Sequence, residues 1–228
     1  QLETSKIFTR DFLKYINLNH FNPHYTLLTN DNVNELYNIY ELLNKFNKFV
    51  IKFDGLAGGK GVFVQDDHFT DIKEAVEIIQ TNIHKTNIVI EEKLIGEEFS
   101  LFTLSDGYNF VHLPPVQDYK RAFDNNKGPN TGGMGSIMDD FKFINDNDII
   151  TCQNINSEVL QKIKMKYNIP YIGILYGSFM KTDKGKLKLI EYNCRFGDSE
   201  VFNILNCIDE DLSNIFNDMI HHKLKQIK

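Results

Sequence analysis

The chain has 228 residues, 42% hydrophobic and 12% aromatic, enough apolar material for one large domain or two small lobes. A net charge of −6 excludes a surface that as a whole advertises nucleic-acid binding, and no stretch approaches the ~20 uninterrupted apolar residues of a membrane span. Cys152, Cys194 and Cys207 form an odd set without CxxC spacing, which argues against a disulfide framework or a zinc site and fits a reducing cytoplasm.

Residues 1–6 carry neither an apolar core nor a starting Met, so no signal peptide is expected there, and the numbering is expected to begin inside a longer natural protein. Residues 3–16 read as a helix, with Phe8, Phe12 and Ile16 four apart on one face. Asn32 is placed to cap a second helix, with Glu35 at the capping-box position and Val33, Leu36, Tyr40 and Leu43 as its stripe. The apolar run 49–53 reads as a buried strand, followed by a glycine-rich turn over 54–61 and a strand over 62–64. Thr70 is predicted to cap a third helix with Ile72, Ala75, Val76 and Ile79 inward. Residues 88–90 read as another buried strand, and 97–113 as a hairpin around Asp106-Gly107. A long helix is expected over much of 148–167, then a second hairpin, 172–180 with 187–192, around 183–185. Residues 200–224 read as mostly helical. Hairpins and helices mix without βαβ alternation, so the fold class is α+β.

Residues 114–140 are the exception. They show little periodicity and are rich in Gly, Pro, Asn and Asp, so they read as a long loop; loops of such length in a compact domain are usually functional or disordered. The string Gly128-Pro129-Asn130-Thr131-Gly132-Gly133-Met134-Gly135 favours function.

Four constellations carry possible chemistry. Lys52 precedes Asp54-Gly55-Leu56-Ala57-Gly58-Gly59-Lys60-Gly61, where glycines let backbone N–H groups approach phosphate oxygens and lysines add point charge. A P-loop needs Ser or Thr after its Lys and then a helix, and a dinucleotide fingerprint also wants a helix. Here Gly61 and a strand follow, which leaves a flap over phosphates or an ordinary hairpin turn. In Glu191-Tyr192-Asn193-Cys194-Arg195-Phe196-Gly197-Asp198, the i and i+2 side chains of a strand share a face, so Glu191 and Asn193 offer two hard oxygens suited to Mg²⁺. Arg195 can offset charge on a transferring phosphoryl group; a solvated strand edge is the plainer alternative. Glu91, Glu92, Lys93 and Leu94, with Glu98 beyond, can read an adenine edge through backbone groups and hold ribose hydroxyls, although taken alone a charged strand end explains them better. Asp118, Lys120 and Arg121, with 128–135, suit an anionic substrate or a solvated loop. His20, His24, His112, His221 and His222 have no partner at a metal spacing and read as surface or satisfied residues.

Taken together, these strings resemble phosphoribosylamine–glycine ligase (glycinamide ribonucleotide synthetase), an ATP-grasp family of purine synthesis. The resemblance rests on Gln1-Leu2-Glu3 with Ser5-Lys6, Lys52 with 54–61, 90–98, 117–121, 128–135 and 191–200, in matching order over nearly the whole chain. It implies ATP held between a small mobile lobe, residues 23–92, and a larger lobe, residues 1–22 and 93–228. It implies Lys52 and Lys60 on phosphates, Glu92 and Leu94 on adenine through their backbones, Glu98 on ribose, and Glu191 and Asn193 on Mg²⁺ or Mn²⁺. Asp118, Lys120, Arg121, residues 128–135, Arg195 and Asp198 would then face 5-phosphoribosylamine and glycine, joined through glycyl phosphate with release of ADP and phosphate. The family usually has Ala at the place of Gly58 and Pro at that of Ser199. Its flanking N- and C-terminal domains are expected outside this chain. Two rivals stay open: an ATP-grasp ligase for another acid and amine, and an isolated nucleotide-binding module without full ligase activity.

Overall fold

The computed structural model of the chain describes residues 1–29, 36–56, 61–124 and 127–225. In chain order the elements are α1 (Lys6–Tyr15), β1 (Tyr25–Leu28), α2 (Leu36–Leu43), β2 (Phe49–Phe53), β3 (Val62–Val64), α3 (Ile72–Asn82) and β4 (Ile88–Glu92). Then follow β5 (Gly96–Asp106), β6 (Phe110–His112), β7 (Gln117–Phe123), β8 (Lys127–Ile137), α4 (Asp146–Tyr167), β9 (Ile172–Thr182), β10 (Leu187–Asn193), α5 (Glu200–Asn206) and α6 (Leu212–Ile220).

The first sheet has the order β1-β4-β2-β3, with every pair antiparallel. Period-2 alternation sends Phe49, Ile51, Ile88 and Ile90 into a core with Leu43, Ala75 and Ile79 of the covering helices. It leaves Lys52 and Glu91 on the opposite face, because Val50 lies across from Glu91 and Lys52 from Val89. The second sheet, β10-β9-β5-β6, is also antiparallel. One of its faces buries Phe99, Leu101, Phe179 and Tyr192 against Phe12 and Leu13 of α1 and Val159 of α4. Part of the other face packs Phe102 and Tyr176 against Ile204, Ile215 and Met219 of α5 and α6.

Ser5 caps α1, its Oγ accepting from the Phe8 N–H at 3.0 Å. The cap of α3 is Asp71 rather than Thr70: Asp71 Oδ1 accepts from the Glu74 N–H at 3.0 Å, while Glu74 reaches back to the Thr70 N–H at 2.6 Å. The expected cap of the second helix at Asn32, with Val33 and Glu35, lies outside the described residues. Strand β1 was not expected; it is four residues long, too short for a period to show. The stretch read as a long loop is largely the β7–β8 ribbon, whose register shifts between Tyr119 and Arg121 and again between Arg121 and Phe123. Those shifts, and the glycines of β8, erase the alternation by which a strand is read from sequence.

Candidate active site

The second sheet leaves one face open beside α5 and α6. Across it Glu191 pairs with Ser178 and Ser178 with Ser100, Asn193 pairs with Tyr176, and Met180 with Glu98. Glu98, Glu191 and Asn193 therefore project to the same side. The register shift between Leu189 and Glu191 marks a bulge at Ile190. It lets Leu189 and Tyr192 both point into the core, where the Tyr192 hydroxyl donates to Asn156 Oδ1 at 3.0 Å. Tyr192 thus anchors the strand that carries Glu191 and Asn193. Arg195 is more than half exposed (58%); its Nε lies 3.2 Å from Glu3 Oε1, and its Nη2 donates to Asn193 Oδ1 at 3.4 Å. Glu3 also accepts from the Cys194 N–H at 2.9 Å, so the chain's first turn braces this motif.

Among the described residues no group of three or more His, Cys, Asp or Glu side chains could hold a metal. Two hard oxygens on one strand face fit an ion that takes its other ligands from phosphates and water, as Mg²⁺ does.

A buried cluster of charge links the two sheets. Lys52 Nζ lies 2.7 Å from Glu91 Oε2, and Arg10 Nε lies 2.6 Å from Glu91 Oε1, all three side chains being buried. Arg10 also donates to the Leu189 carbonyl at 2.9 Å and to the Ile190 carbonyl at 2.6 Å. Lys52 of the first sheet is in this way joined, through Glu91 and Arg10, to the backbone of β10 just before Glu191. Lys6 completes the group: burial pulls its ammonium below the usual lysine range, against the pull of Glu191 and together with the repulsion of Lys52. Lys6 donates to the Gly55 carbonyl at 3.3 Å, and Asp54 accepts from the Ser5 hydroxyl at 3.1 Å and from the Ile7 N–H at 3.2 Å. The start of α1 therefore pins the root of the glycine-rich turn. Gly61 accepts from the Phe53 N–H at 2.8 Å. Gly58, Gly59 and Lys60 lie outside the described residues.

The ribbon overhangs the same face. Lys120 lies 3.4 Å from Glu98 and 3.5 Å from Asp118. Burial works against its ammonium, but Glu98, Tyr176 and Asp118 outweigh it and hold the group above the usual lysine range. Burial raises the Asp118 carboxyl, opposed by Lys120 and reinforced by Glu200. Beneath them the Tyr176 hydroxyl donates to Glu200 Oε1 at 2.7 Å and accepts from Ser100 at 2.7 Å. Thr131 donates to the Lys120 carbonyl at 2.9 Å. Gly133, at φ +137°, passes so near Asp198 that a Cβ there would stand 2.7 Å from the Asp198 carbonyl oxygen. The 128–135 string and the Asp198 motif are thereby in contact. Met134 is exposed, Gly135 pairs with Tyr119, a Cβ on Gly132 would meet open space, and Asn130 pairs with Arg121 in the ribbon that also holds Pro129. Arg121 is engaged elsewhere, with Asp67 of the first sheet's turn at 2.7 Å and the Gly128 carbonyl at 2.8 Å.

At the strand end the Glu92 N–H donates to the His24 carbonyl and the Lys93 N–H to that of Lys48, while the Lys93 ammonium holds Gln65 and Asp66. The side chain of Glu91 is consumed by Arg10 and Lys52, so only its position, not its carboxylate, can serve an adenine edge. Sequence reasoning missed Arg10, Lys6, Tyr176 and Glu200 as site residues. Arg10 and Lys6 stand on a helix that reads as ordinary amphipathic, and their roles come from contacts 81 and 49 residues away.

The family described as phosphoribosylglycinamide synthetase, ATP-grasp (A) domain, matches residues 4–201. The chain is 35% identical over 222 residues to a phosphoribosylamine–glycine ligase of Methanosarcina barkeri, covering 96% of this chain and 50% of that protein. It is 36% identical over 236 residues to the enzyme of the same name from Methanosphaera stadtmanae, covering 100% and 52%. The crystal structure of phosphoribosylamine–glycine ligase from Thermotoga maritima superposes with a TM-score of 0.83 at 32% identity, covering 100% of this chain and 56% of that one. N5-carboxyaminoimidazole ribonucleotide synthetase from Thermotoga maritima, at 16% identity, TM-score 0.65 and coverage of 99% and 50%, shares the fold. The chain spans about half the length of the curated relatives it matches. No helix among the described residues is long and apolar enough to cross a membrane. With an α+β architecture, a family match across most of its length and relatives above 30% identity, the chain belongs to the phosphoribosylglycinamide synthetase family and has its ATP-grasp fold.

Proposed function

We propose that this chain carries the ATP-dependent ligation of glycine to 5-phosphoribosylamine, giving glycinamide ribonucleotide, ADP and phosphate in purine synthesis. The observation that supports the reading is that Glu191 and Asn193 share one strand face while Lys6, held at the Gly55 carbonyl, lies near enough to Glu191 and to Lys52 to feel both charges. A carboxylate resists amine attack because its carbon is electron-rich and oxide leaves badly; converting glycine to glycyl phosphate supplies a good leaving group. Lys52, Lys6 and Lys60 neutralise the triphosphate. Gly58, Gly59 and Gly61 offer backbone N–H groups to the phosphates, and the chemistry needs water kept from the acyl phosphate. Glu92, Lys93 and Leu94 meet adenine through the backbone, and Glu98 holds ribose. Glu191 and Asn193 would hold Mg²⁺ or Mn²⁺, which would supply charge neutralisation at the transferring phosphoryl group. Arg195 adds to that neutralisation and Asp198 orients the amine beside it. Asp118, Lys120 and residues 129–135 face the phosphoribosylamine and glycine, with Arg121 holding the ribbon over them. A cytoplasmic setting suits the free thiols of the exposed Cys194 and Cys207.

The test is ADP release with ATP·Mg²⁺. Release that requires both glycine and 5-phosphoribosylamine supports the reading. Equal release with another amino acid overturns the substrate assignment. The half-length coverage favours one second reading, a nucleotide-binding module whose ligase activity needs further domains of the same polypeptide. Thermal stabilisation by ATP·Mg²⁺ with no ADP released would select it.

A further inference from the structure

Both oxygens of the Glu91 carboxylate are occupied, Oε1 by Arg10 Nε at 2.6 Å and Oε2 by Lys52 Nζ at 2.7 Å. Among the described residues no other side chain forms an ion pair with it. All three groups are buried, Arg10 and Glu91 more deeply than Lys52, and unbalanced charge is felt strongly there. Lys52 and Glu91 alone would form a neutral pair, and an approaching polyphosphate would meet an ammonium already compensated. Arg10 changes that balance. Its guanidinium is always charged, and a β-strand holds it from behind: Nη1 donates to the Leu189 carbonyl, Nη2 to the Ile190 carbonyl, and Nη1 also to Asn22 Oδ1 at 3.3 Å. Asn22 in turn donates to the Arg10 carbonyl at 3.0 Å, which fixes the Asn22 amide that the guanidinium meets.

We infer that Arg10 is a positioning residue for nucleotide phosphate: it neutralises Glu91 so that the charge of Lys52 stays available to the ligand. Two cations around one carboxylate leave a net single positive charge, delivered at the Lys52 end because Arg10 is sealed behind it. The inference rests on the reading of Lys52 as a phosphate ligand and says why a lysine so tightly paired can still serve one.

The experiment measures dissociation constants for ADP and for adenosine, which carries no phosphate, on variants first shown to be folded by thermal unfolding. Lys52→Met is the reference and is expected to weaken ADP tenfold or more; if it leaves ADP affinity intact, the phosphate reading of Lys52 falls and the inference falls with it. With that reference in hand, Arg10→Met is expected to weaken ADP tenfold or more and adenosine less than twofold. Arg10→Lys, which keeps the charge, and the double variant Arg10→Met with Glu91→Gln, which restores the balance, are each expected within threefold of the parent for ADP. Equal weakening of ADP and adenosine in Arg10→Met, or a double variant as weak as Arg10→Met alone, overturns the inference. Should Arg10→Met not fold, the other two decide: a tenfold loss of ADP affinity in either sinks it.

Discussion

Replacing Glu91 by Gln removes the one anion that separates Arg10 from Lys52. Burial pushes the Glu91 carboxyl up, but Arg10 and Lys52 overcome it and hold it down at about 2, against an ordinary 4.5. At 1.36 kcal/mol per unit, that depression corresponds to about 3 kcal/mol of stability at neutral pH. Removing one partner of a buried pair costs about 3–5 kcal/mol by a separate route, because it leaves uncompensated charge inside. The two figures agree. For a chain of this size each kcal/mol moves Tm by about 2–4 °C, so Glu91→Gln is expected to unfold about 6–12 °C lower at pH 7. The pH dependence has a definite sign. A depressed carboxyl stabilises fully above its unfolded value of 4.5, and the contribution is lost as pH falls toward 2. The gap between parent and variant, followed by circular dichroism during heating at steps from pH 7 to pH 2, should therefore narrow below pH 4.5. A gap under about 1 kcal/mol at pH 7, or one that stays constant through acid, would refute the assignment of Glu91 as the ionised centre of a buried triad.

Glu191→Gln and Arg195→Ala should each lower turnover by two orders of magnitude or more, since losing one well-placed stabilising group costs about 3–4 kcal/mol in the transition state; a change under threefold in the ADP-release assay contradicts their roles. Burial draws the His112 imidazole down to about 4, so the folded state resists a proton that the unfolded chain accepts below 6.5. Stability is accordingly expected to decline as pH falls from 6.5 toward 4, and His112→Gln should flatten that decline in urea melts. Gly133→Ala puts a Cβ against the Asp198 carbonyl at a positive φ, which is expected to destabilise by about 1–3 kcal/mol and to raise KM for the amine substrate more than for ATP. An unchanged KM ratio would show that the ribbon does not depend on this approach.

Much of the frame could be read from local pattern. The apolar run Phe49–Phe53, the Asp106-Gly107 turn and the long helix ending near Tyr167 all follow rules that span a few residues. The Glu191/Asn193 pair was legible for the same reason, since two positions apart on a strand means one face. The β7–β8 ribbon was not legible, because its pairing is broken twice and its glycine-rich partner has no side-chain period. The cap of α3 shifted by one residue because Asp71 and Thr70 are both competent caps, and only the path of the chain decides between them.

The residues around the site divide along the same line. By itself, the amino-acid sequence determined the fold class and the motifs that name the family, because helical and strand periods and short strings are local properties. It also placed Lys52, Glu98, Glu191 and Asn193 on their strands. Tertiary structure alone decided that Arg10, on a helix near the start, is the partner of Glu91 and of the Ile190 carbonyl, and that Arg121 is taken by Asp67. Charge pairing acts through space and is indifferent to chain separation: a buried ion chooses its counter-ion from whatever the packed core brings within about 3 Å, and no sequence period records that choice.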